Sequence, residues 1–269
     1  MHCSALPRIA GLLTFVAFGV LAQVPDTVVL EDLTWTELSA AILAGKTTVI
    51  VPIGGTEQSG PHIVLGKHNV RARVLAEKIA RQLGNSLVAP VIAYVPEGKI
   101  NPPTAHMRFP GTITLPNAVF EKTLESAARS FKLHGFRDIV FLGDHGGYQQ
   151  SEKIVADQLN REWVATPVRV HPVPEYYRAA ETGFAQALKH QGFNDQEIGT
   201  HAGLADTSLS LAVDPRLVRR DRLSAAATAG FAEGVHGDPR RASAALGQVG
   251  VDAIVTQTVA AIKAVTQPR

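Results

Sequence analysis

Three residues of this chain carry side chains that could share one metal ion. Glu57 and His68 lie eleven residues apart in a glycine- and proline-containing stretch that starts at Gly54. His145 sits among small residues in Gly143-Asp144-His145-Gly146-Gly147. Two imidazoles and one carboxylate suit zinc, with a position left open for water. An ion so held can polarise a carbonyl and lower the pKa of its water to about 7. The spacing matches no short metal motif, so the three meet only if the Gly-Pro loop folds back, which its turn-forming composition permits. A third polar stretch, His201-Ala202-Gly203-Leu204-Ala205-Asp206-Thr207-Ser208, precedes an apolar run.

Each of these residues also has a plainer reading. Glu57 can accept backbone N–H groups in its loop, and Asp206 can cap the helix that follows it. His68 can flank a helix start, and His145 can pack within its loop. Ser59 lacks the G-x-S-x-G surroundings of a nucleophile, and Gly54-Gly55 lacks the G-x-G-x-x-G of dinucleotide binding.

The elements that must position these residues alternate in type. Thr34-Trp35-Thr36-Glu37 has capping-box spacing, with Gly45 to end the helix. Val49 to Ile53 is a short β-branched run that feeds the Glu57 loop. Asn69 is expected to cap a helix striped by Leu75, Ile79 and Leu83 and closed by Gly84. Leu87 to Val95 reads as a strand. Phe120, Leu124, Ala128 and Phe131 stripe a helix that stops at Gly135. Asp138 to Leu142 is a strand running into the His145 loop. Gln150 to Glu162 reads as a helix, Val168 to Val173 as a strand, and Tyr177 to Lys189 and Ala205 to Val213 as helices. Val251, Val255, Val259 and Ile262 stripe a last helix.

Strands alternating with helices predict an α/β fold, a single-domain three-layer α/β/α sandwich on a mainly parallel sheet. Ligands of such sheets bind outside the carboxyl ends of strands, where the Glu57 and His145 loops lie.

Composition bounds the rest. The chain has 269 residues, 45% hydrophobic and 19% charged, which excludes long disorder, collagen and coiled coil. The net charge of +2, with only short basic groups such as Arg219, Arg220 and Arg222, gives no nucleic-acid footprint. Arg8 is the only Lys, Arg, Asp or Glu among the first 22 residues, and an apolar run from Ile9 to Ala22 follows it. Val20 and Ala22 supply small residues for cleavage before Gln23, so residues 1–22 read as a signal peptide and 23–269 as the mature domain. A retained anchor is the alternative. No other stretch reads as a membrane span. Cleavage would remove Cys3, the sole cysteine. The expected location is the periplasm or outside the cell.

The order of motifs resembles the creatininase family of metal-dependent amidohydrolases. VPIGGTEQSGPHIVLGKHN, from Val51 to Asn69, is similar to the family's PxGSxEQHGPHLPLxTD. LTWTEL at Leu33 to Leu38, His106 with FPGTITL, GDHGG, HAGLADTS and GDPRRAS resemble further segments. The chain is identified as a divergent member. In the family, the Glu, the EQH histidine and the final Asp of the first motif bind metal, and the Asp bridges two ions. Glu57 and His145 stand at family ligand positions. Ser59 replaces the motif histidine, His68 the bridging Asp, and Gly147 a Glu ligand of creatininase itself. An imidazole nitrogen cannot span two ions as a carboxylate does.

These departures predict one divalent ion per chain, zinc, with Mn or Fe as alternatives, held by Glu57, His68 and His145. Asp206 would be a fourth ligand or the base, with Glu57 sharing the catalytic role. His62, His106 and His201 are expected to be structural, or at most to support the ligands or touch substrate. The resemblance implies an exported amidohydrolase acting on a small molecule through a non-peptide C–N bond, in a homo-oligomer, often a hexamer. No nucleic acid is expected as a partner, nor a membrane after signal removal. An inactive ligand-binding scaffold and a metal-dependent lactonase remain as alternatives.

Overall fold

The computed structural model describes residues 25–266; the expected signal peptide lies outside the described residues. Four parallel strands form the sheet: β1 (Thr48–Ile53), β2 (Ser86–Val88), β3 (Asp138–Gly143) and β4 (Arg169–Pro172). Their order is β2-β1-β3-β4, with Thr48 opposite Asp138 and Ile53 opposite Gly143. Helix α1 (Trp35–Leu43) precedes the sheet, and α2 (Lys67–Leu83), α3 (Asn117–Leu133) and α4 (Gln149–Glu162) make the crossovers. Beyond β4 come α5 (Pro174–Arg178), a π-helical turn (Ala179–Gly183), α6 (Phe184–His190) and α7 (Asp195–Ile198). The helices α8 (Leu204–Val213), α9 (Leu223–Ala229) and α10 (Ala244–Val265) follow.

Alternate residues of each strand face opposite layers, which is why VIVPI and DIVFL are apolar throughout. Ile50, Val88, Val140 and Leu142 pack against Leu75 and Ile79 of α2 and Val251 and Ile254 of α10. Val49, Val51, Ile53, Ile139 and Phe141 pack against Phe120 and Leu124 of α3 and Val155 and Leu159 of α4. The sheet is thus covered on both faces, as the sequence predicts.

The chain runs one way from β1 to β2 and then crosses back to β3. The switch in direction falls between β1 and β3, and the crevice at their carboxyl ends is where such a sheet binds ligands. The Glu57 and His145 loops leave the sheet at this point. Tyr148 ties the two strand ends together. Its hydroxyl is fully buried, donates to Gly54 O at 2.6 Å, and accepts from Asp144 N–H at 3.1 Å.

Several expected boundaries move. Thr34 caps α1 with the capping box complete. Helix α2 starts at Lys67, not beyond Asn69, with Gly66 at the cap position. Asn69 instead accepts from Gly55 N–H at 2.9 Å, and its backbone lies so close to Gly54 that a Cβ there would collide. This contact folds the loop back on the helix and places His68 in the first helical turn.

Leu87 to Val95 forms only the short β2 and a bridge at Ile92, because Pro90 has no N–H for the ladder. The Tyr177 to Lys189 helix is interrupted by the π-helical turn. Helix α10 is long and apolar enough to cross a membrane by length and composition, which sequence reading did not expect. Its Val251, Ile254, Val255 and Ile262 are buried in the core, and Gly247 packs directly on the backbone of Ser208.

Candidate metal centre

The structure brings Glu57, His68 and His145 together across the β1–β3 crevice. Glu57 is completely buried, and its two carboxylate oxygens face different neighbours. Oε1 accepts from His68 Nε2 at 2.8 Å and lies 3.6 Å from Lys67 Nζ. Oε2 lies 3.2 Å from His106 Nε2 and 3.7 Å from His145 Nε2, and has no hydrogen-bond partner. Beside it is Glu97, which is also buried and whose two oxygens are both unpartnered.

On the Oε1 side, His68 does not present a free lone pair. Its Nδ1 lies 2.6 Å from Asp144 Oδ2 while Nε2 meets Glu57, so each nitrogen faces a carboxylate. Burial and Lys67 push its pKa down, but Glu57 and Asp144 reverse this and raise it above the ordinary histidine value. The ring is thus clamped between two carboxylates, with Arg71 Nη2 also 3.0 Å from its Nδ1.

Asp206 is likewise engaged. It pairs with Lys67, accepts from Arg71 at 2.7 Å through Oδ1, and accepts from Ala202 N–H at 3.0 Å through Oδ2. Burial opposes its ionisation, yet Lys67 and Arg71 hold it well below the usual carboxylate range. Both residues expected as ligands therefore belong to an ion-pair cluster seeded by the first turns of α2. The same cluster holds Asp144, which accepts from Arg71 Nε at 2.7 Å and from Tyr176 O–H at 2.7 Å.

On the Oε2 side no Lys or Arg among the described residues is ion-paired with Glu57. Glu57, Glu97, His106 and His145 each offer one ligand atom, all within 4.8 Å of one another. Burial holds His145 down at about 4 and lowers His106, which favours the neutral form of both rings. Burial, together with the adjacent Glu57, pushes Glu97 up to about 9. Two buried carboxylates facing each other with orphaned oxygens and neutral imidazoles are what a divalent cation would satisfy, so these residues fit a metal. His145 is oriented by Gly147, whose N–H donates to its Nδ1 at 3.1 Å. Gln58 Nε2 lies 3.0 Å from His106 Nδ1 and 3.2 Å from His201 Nε2.

The remaining histidines have separate tasks. His62 is buried and hydrogen-bonds Thr207 at 3.0 Å, tying the Glu57 loop to α8. His201 lines a cavity beside the centre with Lys67, His145, Tyr177, Glu181 and Asp206. Ser59 is buried with no hydrogen-bond partner for its hydroxyl.

Glu97 and the cations Lys67 and Arg71 were not singled out from the sequence. Glu97 had a readable signal, since it follows a strand-like run just as the Glu57 loop does. Lys67 and Arg71 are four apart and share one face of α2.

Fold and site together define an α/β protein whose strand ends carry a cluster fit for a divalent cation. The chain belongs to the creatininase family: the family described as "Creatininase: Creatinine amidohydrolase" matches residues 31–262. A creatinine amidohydrolase of Pseudomonas putida is 29% identical over 202 residues, covering 73% of this chain and 76% of the relative. A mycofactocin precursor peptide peptidase of Mycolicibacterium smegmatis is 30% identical over 221 residues, covering 74% and 78%. A solved structure named "Creatininase Mn" is 26% identical with a TM-score of 0.75, covering 90% of this chain and 100% of that one.

Proposed function

We propose that this protein is an exported metal-dependent amidohydrolase that cleaves a C–N bond of a small molecule, a linear or cyclic amide other than a peptide. The observation that carries this reading is the buried pair Glu57 and Glu97, with orphaned oxygens turned toward neutral His106 and His145. We assign these four residues as the ligands of one divalent ion, zinc or manganese. Such an ion, when bound, supplies a Lewis acid and a water of pKa near 7.

The chain's own groups do the rest. Burial disfavours the charged form of His145 and His106. Asp206 is held by Lys67 and Arg71 and is not free to take a proton. The Lys67 ammonium and His201 line the cavity and are placed to meet a substrate carbonyl oxygen. The names of two relatives, an amidohydrolase and a peptidase, both concern C–N bonds, which supports the bond type.

Export rests on Arg8 and the apolar run to Ala22. A homo-oligomer, hexameric by family resemblance, is supported by Trp35, Leu43 and Leu133, three large apolar side chains left exposed.

The test is turnover of small amides, lactams, lactones and short peptides by zinc- or manganese-loaded protein, with and without chelator. Hydrolysis of a small amide or lactam, lost on chelation and restored by metal, is expected. Activity confined to lactones or peptides, or ligand binding without turnover, would contradict the proposal.

A further inference from the structure

The first turns of α2 place three basic groups against three acidic ones. Lys67 is 1% exposed, lies 3.6 Å from Glu57 Oε1 and is ion-paired with Asp206. His68 joins Glu57 Oε1 at 2.8 Å to Asp144 Oδ2 at 2.6 Å. Arg71 joins Asp144 at 2.7 Å to Asp206 at 2.7 Å. The positions i, i+1 and i+4 of one helix thus aim all three at the same crevice. A buried lysine is retained only where it is paired, and here its partners include the central carboxylate of the site. The two faces of Glu57 are therefore unequal. Oε1 is engaged by Lys67 and His68, whereas Oε2 and both oxygens of Glu97 have no hydrogen-bond partner among the described residues.

We infer that the Lys67 ammonium, with the His68 ring bonded beside it, occupies the side of Glu57 where a second divalent ion would otherwise bind, so the centre loads a single ion on the Oε2 side. This rests on the metal-dependent reading above. Any ion approaching Oε1 meets the Lys67 ammonium, a like charge in a site shielded from solvent, and the His68 ring bonded to that same oxygen. The carboxylates on that side, Glu57 Oε1, Asp144 and Asp206, are already engaged by side chains of α2. A substrate oxygen entering the cavity from that side meets the ammonium rather than a second metal.

The experiment counts ions. Full-length protein is stripped with chelator, loaded with Mn²⁺ or Zn²⁺, passed over a sizing column and measured by elemental analysis. Wild type and K67R are expected to keep one ion per chain. The double variant K67T/H68D, which removes the ammonium and the ring bonded to Glu57 and adds a carboxylate, is expected to take two. As a check independent of that variant's folding, wild-type crystals soaked in excess Mn²⁺ should give one anomalous peak, with none beside Lys67 Nζ. Two ions in wild type, a peak beside Lys67, or a folded double variant that still holds one ion each overturn this inference and leave the proposed hydrolase intact. No ion in wild type overturns both.

Discussion

His68 Nε2 donates to Glu57 Oε1 across 2.8 Å, and this bond divides the site in two. It commits one oxygen of the central carboxylate to the protein and leaves the other for a ligand. His68 therefore acts through Glu57 and does not touch the ion. His68→Ala should weaken ion binding by about 10–100-fold, the usual cost of losing a residue that orients a ligand. Glu57→Gln should abolish measurable binding. Competition titration against a metal-sensitive dye distinguishes them; equal, complete loss in both would make His68 a ligand.

Glu97 provides the second prediction. Its two unpartnered oxygens are what place it in the proposed ligand set. Glu97→Gln should reduce both ion affinity and turnover while raising the stability of the metal-free fold, because a buried carboxyl beside Glu57 is removed. Thermal unfolding of metal-free and loaded protein checks this. A variant with unchanged affinity would remove Glu97 from the ligand set.

Asp206 is predicted to be structural. Asp206→Asn leaves the buried Lys67 and Arg71 short of a counter-charge, at a cost of about 3–5 kcal/mol. The sign with pH follows from its depressed pKa. Its stabilisation is present above the unfolded carboxylate value of about 3.9 and is lost as pH falls through the lower folded value. Urea unfolding at neutral and acidic pH should show a large difference from wild type that narrows in acid. A difference under about 1 kcal/mol at neutral pH, the range of an exposed pair, would contradict this.

Glu152 has the opposite sign. It is fully buried, its Oε1 has no partner, and burial raises it well above the ordinary glutamate value. Its neutral form costs nothing extra below the unfolded pKa. As pH rises past that value the unfolded chain releases the proton first, and stability falls by up to about 1.4 kcal/mol per pH unit. Glu152→Gln should remove this slope and be more stable than wild type at pH 7. A parallel pair of stability–pH curves would rule it out.

How far the sequence could be read follows from range. The apolar runs Val49–Ile53 and Asp138–Leu142 declare buried parallel strands, and Thr34-x-x-Glu37 declares a helix start, because those signals are local. The loops after both strands could be marked as the site for the same reason. What fails is partner choice across the fold. Asn69 looks like a cap, but its side chain is drawn to Gly55, fourteen positions away. His68 looks like a ligand until Asp144 is seen on its other nitrogen, 76 positions away. Burial of lysine is rare, and for Lys67 it is explained by Asp206, 139 positions away, together with Glu57.

The most direct measurement is the anomalous scattering of a crystal of the zinc- or manganese-loaded protein. One peak is expected, on the Oε2 side of Glu57, about 2.0–2.2 Å from the ligand atoms of Glu57, Glu97, His106 and His145 for zinc. A peak bonded instead to His68 and Asp206, or no peak after full loading, contradicts the account.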